Sequence, residues 1–180
     1  INSTGFSVKS NLPELAVIQT AINFQINSFS NFQIFKLIFM KVLILCTGNS
    51  CRSQMAHGFL QSFNPNITFC SAGTQASGKL NEKAVAVMKE AGVDISHHTS
   101  DQVDKYLNDQ WDYVITVCGG ANEACPAFFG KVKHRLHIGF DDPSHAVGTA
   151  EFIDSEYIRV RDEIKEAFWR FYMQEIKPNL

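Results

Sequence analysis

The run Val42-Leu43-Ile44-Leu45 is apolar at every position and leads directly into Cys46-Thr47-Gly48-Asn49-Ser50-Cys51-Arg52-Ser53. Met55, Ala56, Phe59, Leu60 and Phe63 then recur at helical spacing as far as Pro65. A strand that does not alternate is buried on both faces, and such strands belong to parallel sheets covered by helices. The rest of the chain keeps that rhythm. Ile67–Cys70 reads as a second strand. Asn81–Ala91 reads as a helix with Asn81 as N-cap and Gly92 as its stop. Ser100–Leu107 reads as a short helix with Ser100 and Asp104 as capping residues. Tyr113–Val117 and Arg135–Ile138 read as a third and a fourth strand. The last helix carries Ile153, Tyr157, Val160, Ile164, Phe168 and Phe171 on one face. Strands joined through helices pair in parallel. The expected fold is therefore α/β: a three-layer, doubly wound, four-stranded parallel sheet with flanking helices.

Bulk composition excludes several classes of function. The chain has 180 residues, 45% hydrophobic and 19% charged, with a net charge of −2 and no concentrated run of Lys or Arg. That argues against nucleic acid or an anionic membrane as the partner. No apolar stretch approaches the roughly 20 residues of a membrane span. A core of this size needs no disulfide framework, and five cysteines would leave one thiol over. Thiols used for chemistry in a reducing cytoplasm fit better.

Residues 1–39 differ from the rest. They are rich in Asn, Ser, Phe and Ile, and only Lys9, Glu14 and Lys36 carry charge. They lack the basic stretch and apolar core of a secretory signal. Met40 stands directly before the first strand, so the native protein is expected to start there, with the domain spanning 40–175. Residues 1–39 are then a non-native or poorly ordered extension. The alternative is an accessory segment packed on the domain.

The loop from Cys46 to Ser53 lies between a strand and a helix, where open α/β sheets bind ligands. A loop wrapping into a helix N-terminus aims backbone N–H groups at one point and makes an anion site. Thr47, Gly48, Asn49, Ser50, Cys51 and Arg52 are the expected oxyanion-binding residues. Gly48 and Asn49 tolerate left-handed backbone, and Arg52 offers a two-pronged grip on a tetrahedral anion. The same groups favour the thiolate of Cys46 as a nucleophile, and Ser53 can donate a hydrogen bond to it. Cys51 reads as a small space-filler.

Two further groups follow the later strands. Cys118 and Cys125 flank Gly119 and Gly120. In a helix they would be about 10.5 Å apart along the axis, beyond the roughly 7 Å limit between disulfide-bonded Cα atoms. They can bridge only if the segment loops or unwinds. Read without Cys46, they are equally a pair of buried thiols. Asp141-Asp142-Pro143 places a carboxylic acid at the same sheet edge, suited to protonating a departing oxygen, or forms an ordinary turn.

Met40–Tyr172 resembles the thioredoxin-coupled arsenate reductases, which share the low-molecular-weight tyrosine phosphatase fold. The resemblance is carried by Cys46 to Ala56, Ser71-Ala72-Gly73, His98-Thr99-Ser100-Asp101, Cys118 to Pro126, Gly139 to Pro143 and Val160 to Ile164. It implies reduction of arsenate, with phosphate or sulfate as mimics. Cys46 would attack arsenic, with Arg52 and Ser53 assisting and Asp142 as general acid. Cys118 and then Cys125 would take over the disulfide, and thioredoxin would reduce it, with no cofactor. It also implies a potassium site, for which Asn49, Ser71 and Asp101 match. The Glu of that site is His57 here, a poor alkali-metal ligand, so no conventional metal site is expected, the alternative being a weak potassium site at Asn49, Ser71 and Asp101. The rival reading is a tyrosine phosphatase using Cys46, Arg52 and Asp142. Against it, Ser144 replaces the aromatic residue that usually follows Asp-Pro in those enzymes. A cytoplasmic monomer is expected.

A chain beginning at Met40 should keep both its melting temperature and its activity. A drop of several degrees in thermal unfolding would show that residues 1–39 pack on the domain.

Overall fold

The computed structural model describes residues 40–119 and 127–180. Residues 1–39, and Cys125 with its neighbours, lie outside the described residues. β1 (Lys41–Cys46) is buried from Val42 onward, as its unbroken apolar run requires. β2 (Thr68–Gly73) flanks it on one side and β3 (Gln110–Cys118) on the other. β4 (Lys131–Phe140) completes the order β2-β1-β3-β4, with every neighbouring pair parallel. From β1 the chain steps one way to β2 and then back across to β3. The carboxyl ends of β1 and β3 therefore flank the crevice where the strand order reverses, the usual ligand site in such sheets.

Side-chain alternation assigns the two faces of β1 to two cores. Val42 and Ile44 pack with α1 (Arg52–Phe63), α2 (Glu82–Glu90) and α3 (Ala150–Phe171) through Met55, Phe59, Met88, Val160, Ile164 and Phe168. Leu43 and Leu45 pack with Trp111, Val114 and Phe128, alongside the partly buried Val103, Tyr106 and Leu107. Asn81 caps α2, its side chain accepting from the Ala84 amide at 3.1 Å, and Gly92 takes φ 81° just beyond the helix end. Among the described residues, no helix is long and apolar enough to cross a membrane.

Two expected elements come out differently. β4 is ten residues long rather than the short Arg135–Ile138. It lies at the edge of the sheet and most of its residues are exposed, so its charged side chains conceal the strand pattern. The short helix at 100–107 is a 3-10 turn over Val103–Tyr106, with no side-chain cap. Ser100 instead donates to the Gly48 carbonyl, and Asp101 accepts from Lys105 and Tyr106.

Gly58 sits in the middle of α1, where Ala would favour the helix by about 1 kcal/mol. A Cβ there would lie 2.5 Å from Ile95 Cγ2 and 3.1 Å from Met88 Cε. Ile95 is wholly buried and β-branched, so it cannot turn aside. Gly58→Ala should therefore destabilise the fold, by about 1–2 kcal/mol in urea unfolding, despite its helix propensity.

Candidate active site

The loop between β1 and α1 is turned inside out by its neighbours. The carbonyls of Thr47, Gly48 and Ser50 accept from the amides of Gln75, Ser77 and Asn81, each at 2.9 Å. The Asn49 carbonyl accepts from Gln54 Nε2 at 3.1 Å. Because a peptide is planar and trans, a carbonyl turned outward turns the next N–H inward. The loop amides thus face the cradle. Asn49 adopts φ 44° to complete the turn, and it is the one non-glycine residue with positive φ among those described. Gly48, expected to share that conformation, does not. Gly73 is needed for space instead. A Cβ on it would collide with the Thr47 carbonyl and lie 2.9 Å from the Asn49 amide.

Cys46, at the end of β1, is buried with its sulfur 3.1 Å from the Asn49 amide and 2.9 Å from Ser53 Oγ. Asn49 Nδ2 donates to Ser53 Oγ at 3.0 Å. The Ser53 hydroxyl therefore has an accepting lone pair occupied and its hydrogen available for the sulfur. Two donors thus converge on one sulfur.

Arg52 opens α1 and is buried. Its guanidinium donates to the Phe140 carbonyl at 3.1 Å and to Asp142 Oδ2 at 2.6 Å. Asp142 also accepts from the Ser144 amide and hydroxyl, at 2.9 and 2.6 Å. It so caps the turn Pro143–His145. Asp141 faces away and pairs with Arg159. Arg52, Asp142 and Ser144 line a cleft of about 460 Å3 together with Cys46, Thr47, Gly48, Ser50 and Cys51, while Asn49 and Ser53 are buried behind it. Thr74, Gln75 and His145 also line it and were missed in the sequence. Their place just after a strand end, at the carboxyl edge, is the signal that points to them.

Cys51 lies in the cleft wall, where burial and the nearby Asp142 carboxylate push its thiol far above the ordinary range. That suits a neutral filler rather than a second nucleophile. Cys118 ends β3, is buried, and pairs in register with Phe140, whose carbonyl Arg52 grips. The cation-site residues are turned to protein partners. Asn49 Oδ1 accepts from the Asp101 amide at 2.8 Å, and Ser71 Oγ meets His57 Nδ1 at 3.3 Å. The Asp101 carboxylate holds Lys105 and Tyr106, each at 2.7 Å. Burial, followed by the neighbouring His98 and His97, pulls His57 down to about 3, so a neutral imidazole stands where a carboxylate ligand would be needed. These residues do not fit an alkali-metal cage.

Comparison with known proteins agrees with this geometry. The family model described as low molecular weight phosphotyrosine protein phosphatase matches residues 41–179. An arsenate reductase of Bacillus licheniformis is 49% identical over 131 residues, covering 72% of this chain and 93% of that protein. An arsenate reductase of Bacillus subtilis is 48% identical, covering 68% and 88%. A solved arsenate reductase in the phosphate binding state superposes with a TM-score of 0.63 at 30% identity, covering 76% and 98%.

The partly buried histidines His57 and His98 make stability sensitive to acid. His57 takes up its proton only near pH 3 when folded but near 6.5 when unfolded. The unfolded state therefore binds more protons between those values, and stability falls as pH drops through that window. Burial lowers His98 in the same direction. Between pH 7 and pH 5 the wild type should lose about 1–2 kcal/mol more than His57→Gln in urea unfolding. Parallel pH profiles would show that His57 is not held neutral.

Proposed function

The chain belongs to the low molecular weight phosphotyrosine protein phosphatase family, and on that premise we propose that it is an arsenate reductase working by a three-cysteine relay. The observation that carries this reading is the Cys46 sulfur held by two donors in a cleft walled by Arg52 and Asp142. The near-complete coverage of arsenate reductases from two Bacillus species supports it. A tetrahedral oxyanion bound by the inward amides draws Arg52 from Asp142 onto its oxygens. The Cys46 thiolate forms a bond to arsenic as one arsenic–oxygen bond breaks. The oxygen leaves as water after a proton from Asp142 reaches it.

Cys118 then attacks the Cys46 sulfur. The sulfur–arsenic electron pair stays on arsenic, which falls from As(V) to As(III) and departs as arsenite. Two thiolates have become a Cys46–Cys118 disulfide. Cys125 attacks Cys118, frees Cys46 and leaves a Cys118–Cys125 disulfide, to which the dithiol of thioredoxin returns two electrons. The relay needs a reducing compartment, in keeping with the cytoplasm. Tyrosine phosphatase activity is the weaker reading. Among the described residues, the cleft lining offers no phenyl, phenol or indole ring to a tyrosyl group, and Ser144 spends its polar atoms on Asp142.

With thioredoxin, thioredoxin reductase and NADPH, arsenate should drive steady NADPH consumption that stops when thioredoxin is left out. Cys46→Ser should abolish it. Cys125→Ser should release arsenite once and stall as a Cys46–Cys118 disulfide, visible by peptide mass mapping. Full turnover by Cys125→Ser would replace the relay with a two-thiol mechanism resolved from outside.

A further inference from the structure

Asn49 is the most constrained residue of the cradle. It is fully buried, left-handed and not glycine, a conformation that persists only where surrounding bonds over-determine it. Each of its polar groups has a partner. The amide serves the Cys46 sulfur, Nδ2 serves Ser53, Oδ1 takes the Asp101 amide and the carbonyl takes Gln54 Nε2. The peptide that carries the Asn49 carbonyl also carries the Ser50 amide, so Gln54 helps set which loop N–H groups face the anion.

Gln54 is itself wholly buried, and its own orientation is settled by its partners. Nε2 gives its two hydrogens to the Asn49 and Thr99 carbonyls, at 3.1 and 2.9 Å. Oε1 is thereby an acceptor, and it lies 3.0 Å from His98 Nδ1. His98 must carry its hydrogen on Nδ1 to make that bond. The ring is fixed by stacking on His57, with centroids 4.3 Å apart, and by an edge contact with His97 at 4.7 Å. His57 in turn meets Ser71 on β2. A continuous line of contacts thus runs from β2 through His57, His98 and Gln54 to the residue that donates to the nucleophile.

We propose that His98 and Gln54 are positioning residues for Cys46, holding the Asn49 peptide so that the loop amides and the sulfur stay in register without touching substrate themselves. The inference deepens the reductase reading, but its main readout is independent of it. The rate of Cys46 alkylation by iodoacetamide, followed by mass mapping of the Cys46 peptide, needs no arsenate.

His98→Asn keeps an N–H near the Nδ1 position, whereas His98→Leu has similar bulk and no donor. Loss of a buried hydrogen bond that acts on the nucleophile should slow both Cys46 alkylation and kcat for arsenate about tenfold in His98→Leu and in Gln54→Met. His98→Asn should stay within about twofold of wild type in both. If His98→Leu does not fold, the decision falls to Gln54→Met against His98→Asn. A merely structural role would lower the melting temperature and leave alkylation within twofold in every folded variant, and that result would overturn the proposal. Altered alkylation together with absent arsenate turnover in the wild type would keep the positioning role and reject the reductase reading instead.

Discussion

The site depends on which way the peptides of one short loop are turned. Left alone, a loop after a strand presents carbonyls and amides to either side. Here the segment after β2 supplies three amides that draw the Thr47, Gly48 and Ser50 carbonyls outward. That capture is possible only because β1 and β2 pair in parallel with Cys46 opposite Gly73, and because Gly73 has no Cβ to hold the loop away. Strand register, a missing methyl group and the polarity of the cradle are one constraint. A slip of the β1–β2 pairing would present the wrong amides to the loop, even if the hydrophobic core survived.

Arg52 imposes a second demand. A buried guanidinium is costly unless its charge and its hydrogens are matched. Asp142 supplies the charge and the Phe140 carbonyl a further acceptor, so the end of β4 is tied to the start of α1. The pairing also links two roles expected of the site. The side chain expected to grip the anion and the one expected to act as the acid are bonded to each other through Asp142 Oδ2. Ser144 bonds the other carboxylate oxygen through its amide and hydroxyl, so Asp142 has a second anchor besides Arg52.

Much of this was legible because the informative residues are chemically unambiguous. The apolar run of β1, the Asn81 cap and the face of α3 follow from periodicity and capping alone, and they stand where expected. The candidate residues Cys46, Asn49 and Asp142 were readable from their place at or just after a strand's carboxyl end, and Arg52 and Ser53 from their place at the start of the helix that follows. What escaped was set by tertiary geometry. Nothing local says that Gly48 avoids positive φ while Asn49 adopts it, or that Ser100 prefers the Gly48 carbonyl to a helix cap. β4 was underestimated at its start because Lys131, Lys133, His134 and Arg135 crowd around Val132, so the alternation of Leu136, Ile138 and Phe140 stands out only in its second half. Gln54 and His98 read as ordinary polar residues until their partners are known.

Cys118 occupies the point where the sheet gives way to the segment that leads to Cys125. The β3–β4 register shifts between Thr116 and Cys118, and Cys118 is the last paired residue of its strand. Gly119 then passes so close to the Phe140 backbone that no side chain would fit. A thiol there has a strand's rigidity on one side and a glycine's freedom on the other. In the relay proposed above, Cys118 is the middle cysteine, which must attack one sulfur and then be attacked by another, and this position suits that exchange. The bond from Arg52 to the Phe140 carbonyl ties the neighbouring end of β4 to the start of α1. One guanidinium thus lies between the loop that holds Cys46 and the strand residue paired with Cys118.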